Sequence, residues 1–294
     1  MNKEKITTAI ERIRAFEPRN GYYLAFSGGK DSVAVKALMD MAGVKYDAVY
    51  RVTSVDPPEL VSFIRDYHPD VTREIPLDKD GNGVSMWTLI PQEKCPPTRI
   101  MRYCCKVLKE GGGFGRFIVT GVRWAESGNR KRSHGIVNVM SKDKNNELAQ
   151  AGFENNNRSA MILLNDNDSA RRMTEHCFAK HKTMLNPIIE WTDQDVWEFI
   201  RGNKIPYCKL YDCGYHRLGC IGCPMAGKKQ RKADLNKYPK YKNAYLSAFS
   251  RMLEARKANN LETPWNSAEE VLKWWLEDES VEGQLMLDGF DEDI

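Results

Sequence analysis

A chain that reads Tyr22-Tyr23-Leu24-Ala25-Phe26, then Ser27-Gly28-Gly29-Lys30-Asp31-Ser32, then the apolar-periodic run Val33 to Met41 has few ways to fold. The run Tyr22 to Phe26 is apolar nearly throughout, the pattern of a strand covered on both faces. Two glycines break that pattern, and a run with helical period begins at once. Where a strand hands over to a helix in this way, the unpaired N–H groups of the first helical turn and the positive end of its dipole meet at one point. Such a point is an anion site. Ser27 and Ser32 add hydroxyls, Lys30 a point charge, and Asp31 either a Mg²⁺ ligand or a helix cap, a set that suits a polyphosphate better than an apolar ligand. The spacing is neither the GxxxxGK[ST] of a Walker loop nor GxGxxG.

The rest of the chain repeats the alternation. Residues 4 to 16 read as a surface helix, with Ile6, Ile10, Ile13 and Phe16 on one face. Tyr46 to Val52 is the next β-rich run. Pro57 and Pro58 open a helix carrying Leu60, Val61, Phe63 and Ile64, and further strands are expected at Val71 to Leu77 and Arg116 to Val122. A βαβ beginning predicts a Rossmann-like, doubly wound parallel sheet of the α/β class, with ligand chemistry at the carboxyl ends of its strands. Residues 134 to 170, rich in Asn, Asp and Ser, read as an insertion of loops with one short strand at Met161 to Leu164. Thr192 to Asp195 is a capping box ahead of a helix that ends near Gly202, and Ser267 to Glu270 is another, ahead of Trp274 and Trp275. The expected organisation is a nucleotide-binding α/β domain over 1–205, with the insertion near 134–180, and a cysteine-rich segment plus helical tail over 206–294.

At 294 residues and 33.7 kDa the chain can bury a large core. No apolar run is long enough to span a bilayer, and Met1 to Lys5 lead into an amphipathic pattern rather than a secretory core, so a cytoplasmic protein without a membrane partner is expected. In that compartment eight cysteines point to reduced, metal-binding or catalytic thiols rather than a disulfide framework.

The run SGGKDS resembles the pyrophosphate loop of the adenine-nucleotide α-hydrolase superfamily, which includes ATP pyrophosphatases and the adenylyl-sulfate and phosphoadenylyl-sulfate reductases. Further blocks resemble the reductase branch in order: Thr53 to Glu59 after the second strand, Arg102-Tyr103-Cys104-Cys105-Lys106 as its paired-cysteine motif, and Val119-Thr120-Gly121-Val122-Arg123 with Glu126, Ser127 and Arg130 as its TGxR loop. Asn186-Pro187, Trp191 and Asp195-Val196-Trp197 follow, then Leu210-Tyr211-Asp212 and Gly219-Cys220-Ile221-Gly222-Cys223-Pro224. The resemblance implies nucleotide contacts from Ser27, Gly28, Gly29, Lys30, Asp31, Ser32, Thr53, Gly121, Arg123 and Arg130, with Lys30, Asp31 and Arg123 nearest the chemistry. It implies ATP or a sulfonucleotide as ligand, with Mg²⁺. It also implies that Cys104, Cys105, Cys220 and Cys223 hold a [4Fe-4S] cluster, zinc being the alternative for four thiolates. A competing local set is Cys208, Cys213, Cys220 and Cys223. Cys95 and Cys177 read as buried thiols.

Two features depart from the reductases. Those enzymes usually lack the complete SGGxDS loop kept here, and they attack sulfate with a cysteine near the C-terminus, whereas no cysteine follows Cys223 in these residues. The reading that follows is ATP pyrophosphatase-type adenylation coupled to sulfur transfer, with a nucleic-acid or small-molecule sulfur acceptor and a sulfur donor protein as partners. Reduction of adenylyl sulfate or phosphoadenylyl sulfate is the alternative. A third reading is a non-catalytic nucleotide-binding module that touches nucleic acid through Arg130-Lys131-Arg132, Arg171-Arg172 or the basic, tyrosine-bearing stretch from Lys228 to Lys242. The acidic tail after Glu277, with Leu285-Met286-Leu287, reads as mobile.

Overall fold

The computed structural model describes residues 3–140, 152–155, 160–164 and 182–277. Cys177, Arg171-Arg172 and the tail beyond Glu277 lie outside the described residues. The chain divides into two compact units whose segments interleave: the first takes 1–51, 59–74 and 112–218, the second 52–58, 75–111 and 219–294. The 206–218 stretch therefore belongs with the sheet, while 52–58 and 75–111 belong with the cysteine-rich part.

The first unit is built on eight strands: β1 (Tyr22–Ala25), β2 (Tyr46–Arg51), β3 (Thr72–Glu74), β4 (Phe117–Val119), β5 (Val137–Met140), β6 (Phe153–Asn155), β7 (Ala160–Leu163) and β8 (Lys182–Leu185). Their order across the sheet is β3-β2-β1-β4-β8-β5-β7-β6. Pairs from β3 to β8 are parallel; β8–β5, β5–β7 and β7–β6 are antiparallel. The parallel, doubly wound expectation holds for the first five positions. At the far edge it needs correcting: the segment read as loops with one short strand supplies three strands that extend the sheet, β5 among them. Val137 and Val139 are buried while Asn138 between them anchors a buried amide network, so this short apolar run inside an Asn-, Asp- and Ser-rich segment is an interior strand.

Helix α1 (Lys3–Ala15) buries Ala9 and Ile13, and its Arg12 makes paired bonds of 3.0 Å to the Glu190 carboxylate. Helix α2 (Lys30–Ala42) follows β1 and ends at Gly43, and α3 (Pro58–Tyr67) buries Leu60, Phe63 and Ile64 at its expected spacing. The chain winds outward through β1, β2 and β3, then returns to place β4 on the other side of β1. The winding reverses beside β1, which puts the loops after β1 and β4 at the topological switch point where α/β sheets bind ligands. The third strand is shorter than the Val71–Leu77 run, because Ile75 and Leu77 are exposed and leave the sheet.

In the second unit the helices Met86–Glu93, Pro239–Ala258 and Ala268–Glu277 share a core of Leu89, Ile90, Tyr245, Phe249, Met252, Val271 and Trp275. The Trp275 ring lies 4.8 Å from that of Tyr245, and its indole N–H donates to the Pro97 carbonyl at 2.6 Å. The start of the last helix matches its capping signal, with the Ser267 hydroxyl accepting from the Glu270 N–H at 3.2 Å. Among the described residues no helix is long and apolar enough to cross a membrane.

Candidate functional site

The loop after β1 is shaped by two residues that must be glycine. Gly28 has φ +70°, and a Cβ there would stand 2.7 Å from Leu60 Cδ1 and 2.8 Å from Ile64 Cδ1. A Cβ on Gly121, in the loop after β4, would stand 2.9 Å from the carbonyl carbon and Cβ of Asp31. Close packing against α3 and α2 thus fixes the loop. Gly29 caps α2 without a side-chain bond of its own to the first-turn amides.

Hydroxyls hold the loop's shape. Ser32 Oγ accepts from the Ser27 N–H at 3.2 Å, lies 3.1 Å from Ser27 Oγ, and donates to the Gly29 carbonyl at 2.9 Å. The Lys30 N–H donates to the Tyr211 hydroxyl at 2.8 Å, so a phenol oxygen stands against one of the amides that the sequence assigns to an anion. Burial raises the Tyr211 pKa, which keeps it a neutral phenol.

The charged residues form one connected group. Lys30 is 4% exposed, with its ammonium 3.3 Å from Asp193 Oδ1 and 3.5 Å from Asp31 Oδ2. Arg123, only 2% exposed, donates from Nε to Asp31 Oδ1 at 2.7 Å, from one terminal nitrogen to Asp193 Oδ1 at 2.6 Å, and from the other to the Trp191 carbonyl at 3.1 Å. Desolvation works to lower the Arg123 pKa, but Asp31 and Asp193 outweigh it and raise the value. For Asp193, desolvation works upward, and hydrogen bonding to Arg123 with the charge of Lys30 brings the net shift down. The guanidinium read as a phosphate clamp is therefore occupied in tethering Asp31 and the start of the helix Asp193–Gly202. Arg130 lies farther along, its Nε 3.7 Å from the Glu126 carboxylate, which accepts from the Arg123 N–H at 3.1 Å. Asn186 completes the support: its amide donates to the Gly135 carbonyl at 2.8 Å and its oxygen accepts from Thr120 at 2.5 Å, pinning the loop after β4.

Sequence reading placed Asp193 only as part of a helix start and quoted Tyr211 only within a motif. Both reach Lys30 across more than 160 residues of chain, a separation at which local pattern carries no signal.

Thr53, assigned above to the nucleotide, lies in the second unit. It is buried, accepts from the Val55 N–H at 3.2 Å, and stands 3.8 Å from the Cys220 sulfur. The four cysteines Cys104, Cys105, Cys220 and Cys223 also belong to this unit, and all are free thiols. Cys208 and Cys213, from the competing set, belong to the first.

A π-helical turn over Cys105–Lys109 begins at the pair, closed by the Glu110 N–H on the Cys105 carbonyl at 2.8 Å. Lys109, its last residue, is exposed to solvent over much of its length, and its ammonium lies in the field of Cys220. Attraction to Cys220, then to Asp56 and Cys223, raises the Lys109 pKa against desolvation. Within the pair the Cys105 thiol is drawn down to about 6, first by its hydrogen bond with Cys104 and then by Arg102, while Cys104 is pushed up. Burial raises Cys220 to about 11 against the pull of Lys109. The buried Tyr245 phenol, which donates to the Ile221 carbonyl at 2.9 Å, lies in the field of Cys220, Cys104 and Cys223 together. The charges of these thiols act on one another in pairs, Cys104 with Cys105 and with Cys220, and Cys220 with Cys223. Among the described residues, no three His, Cys, Asp or Glu side chains close on a single point for one metal ion.

Comparison with known proteins bears on both the loop and the thiols. The adenosine 5'-phosphosulfate reductase of Oceanobacillus iheyensis is 54% identical over 37 residues, 13% of this chain and 15% of that protein. An uncharacterized protein of Methanocaldococcus jannaschii is 23% identical over 218 residues, 74% of this chain and 39% of its own length. This chain spans less than half the length of these relatives. A solved structure, the phosphoadenylyl-sulfate reductase of Candida auris in a phosphate complex, aligns with 75% of this chain and 96% of its own at 15% identity, with a TM-score of 0.43. A family model described as the phosphoadenosine phosphosulfate reductase domain matches residues 21–226, from the strand before the Ser27–Ser32 loop to just past the Cys220–Cys223 pair, and the chain belongs to that family.

Proposed function

We propose that the first unit binds ATP and transfers its adenylyl group to an oxygen of an acceptor, which a sulfur donor at the oxidation level of hydrosulfide then replaces. One observation supports this reading: the loop after β1 offers groups of the kind that bind phosphate, with the Gly28 conformation, a glycine N-cap on α2 and the two serine hydroxyls all present. Such a cradle suits the β- and γ-phosphates, which a sulfonucleotide does not possess.

The acceptor oxygen attacks the α-phosphorus, and the bond from that phosphorus to the bridging oxygen of the β-phosphate breaks. The electron pair leaves with pyrophosphate. Ser27, the Gly28 and Gly29 amides and Ser32 hold the departing group, while Lys30, tethered by Asp31 and Asp193, supplies a fixed positive charge. Arg123 is a positioning residue that holds Asp31 and Asp193. Both Asp31 oxygens already face cations, so its carboxylate does not fit a resident Mg²⁺ site. Magnesium would enter as part of the nucleotide substrate. In the second half, hydrosulfide displaces AMP with the activated oxygen, and no net electron is required. Cys104, Cys105, Cys220 and Cys223 would hold a [4Fe-4S] cluster, which would supply a place to keep sulfide at that oxidation level.

Calorimetric titration with ATP, adenylyl sulfate and phosphoadenylyl sulfate tests the choice. ATP is expected to bind most tightly, to be displaced by pyrophosphate, and to lose at least tenfold in affinity in Lys30→Ala. Preferential binding of either sulfonucleotide, with thiol-dependent release of sulfite, would replace this reading with the reductase reaction. Anaerobic isolation with iron and acid-labile sulfide analysis tests the cluster; a zinc-containing, sulfide-free protein would overturn it.

A further inference from the structure

From Met225 to Arg251 the chain carries eight Lys or Arg residues and one carboxylate, Asp234. The whole chain has a net charge of only +4, so all the positive excess resides in this stretch and the remainder is net acidic. The structure separates these charges by role. Asp234 is buried and accepts from Gln230 at 2.7 Å; Arg231 is buried and donates to the Trp275 carbonyl at 2.5 Å. With Leu235, these residues anchor the helix Lys228–Lys237 to the core of the second unit.

What faces solvent is lysine: Lys228, Lys229, Lys232 and Lys237 on that helix, and Lys240 at the start of the next. Lys232 has a carboxylate neighbour, Glu277, at 3.5 Å, and the Lys237 ammonium lies 5.2 Å from the Tyr238 ring. The arrangement is unfavourable for the helix alone. Lys228 and Lys232 are like charges four residues apart, and Lys228 and Lys229 sit in the first turn, beside the positive end of the dipole, behind an N-cap glycine that makes no side-chain cap. Burial does not explain these lysines either, since all are exposed. An external polyanion would offset both costs.

We propose that the solvent side of this helix, where Lys228, Lys229 and Lys232 lie together and Lys237 stands half a turn round, continued by Lys240, binds the phosphate backbone of a nucleic acid. The helix places the charges along about 14 Å, a length over which a strand presents several phosphates. An anionic membrane surface would ask for a set of apolar side chains to insert, and from Met225 to Arg251 a single large apolar side chain, Met225, is exposed. Binding here is measured without nucleotide, so its failure leaves the assignment of the Ser27–Ser32 loop untouched.

The test is fluorescence anisotropy of the full chain with labelled 30-nucleotide single-stranded RNA, single-stranded DNA and duplex DNA at increasing KCl, beside sedimentation with phosphatidylserine vesicles. With four or five phosphate contacts, affinity for a single strand should fall roughly 50- to 130-fold between 50 and 200 mM salt. The combined variant K228A/K229A/K237A/K240A should lose most of that salt dependence, and the corresponding four Lys→Arg changes should keep it. Circular dichroism of each variant confirms folding. Absence of binding to all three nucleic acids, an unchanged salt slope in the alanine variant, or binding to vesicles alone would each overturn the proposal.

Discussion

Replacing Arg123 with methionine should destabilise the first unit by about 4 kcal/mol, mostly through the partners left behind. The aliphatic stem is kept, so the loss is polar. The Trp191 carbonyl, buried and accepting at 3.1 Å, is left unsatisfied at a cost of about 1–3 kcal/mol. Asp31, whose side chain is 24% exposed, loses a charge-assisted bond of 2.7 Å worth about 1.5–3 kcal/mol before solvent screening, and about 1–2 after it. Asp193 is 61% exposed, so water replaces most of what Arg123 gave it and its share stays below about 1 kcal/mol. A double-mutant cycle with Asp193→Asn should therefore show coupling under about 1 kcal/mol. Because the chain has two units, native-state hydrogen exchange of amides in β1 and β4 reports on the first unit separately. If Arg123→Met costs less than about 1 kcal/mol, or couples more strongly to Asp193 than to Asp31, the role of Arg123 as a buried tether is refuted.

Gly28→Ala should cost about 2–4 kcal/mol, combining a left-handed alanine with overpacking against Leu60 and Ile64, and the trimming change Ile64→Val should recover part of it in urea unfolding; an unaffected Gly28→Ala protein would refute the loop geometry. Tyr211→Phe removes the hydroxyl standing against the Lys30 amide and should tighten pyrophosphate binding by up to about tenfold; weaker binding in calorimetry would show that the phenol assists the anion instead. His68 is buried between the Phe26 and Phe63 rings with Nε2 unpartnered, and burial, then repulsion from Lys36, lowers its pKa against the pull of Asp70 and Asp40. The unfolded chain therefore takes up the proton first as pH falls, so the stability is present above about pH 6.5 and is lost below it. Urea midpoints at pH 7.5 and 5.5 should differ less in His68→Phe than in the natural chain. Asp70 and Asp193, with lowered values, lose their contributions only below about pH 4, which separates the two windows.

How far the sequence carried can be judged element by element. β1, the loop and α2 were legible because their determinants are local: an apolar run, two glycines and a helical period within twenty residues. The Thr192 and Ser267 capping signals were legible for the same reason. The strand at Val137–Met140 was passed over although Ile136, Val137, Val139 and Met140 alternate around a single polar residue, because the Asn-, Asp- and Ser-rich sequence after it masks so short a run and its pairing partners are chosen by the sheet. The four cysteines came from the family resemblance, in type and order. Lys109 came only from the structure, since its neighbourhood with Cys220 depends on a π-helical turn that returns the ammonium.

By itself the sequence determined the strand, glycine loop and helix that form the candidate anion site, the α/β class with its parallel half, and a chain whose positive excess lies in one basic stretch. Tertiary structure decided which charges are buried and paired and which face solvent. It tied Arg123 to Asp31 and Asp193, placed Thr53 beside Cys220, buried Arg231 and Asp234, and left Lys228, Lys229 and Lys237 in solvent. The physical reason is that burial and pairing are set by neighbours distant along the chain. A residue's chemistry is written in the sequence, whereas its partners exist only once the chain has folded.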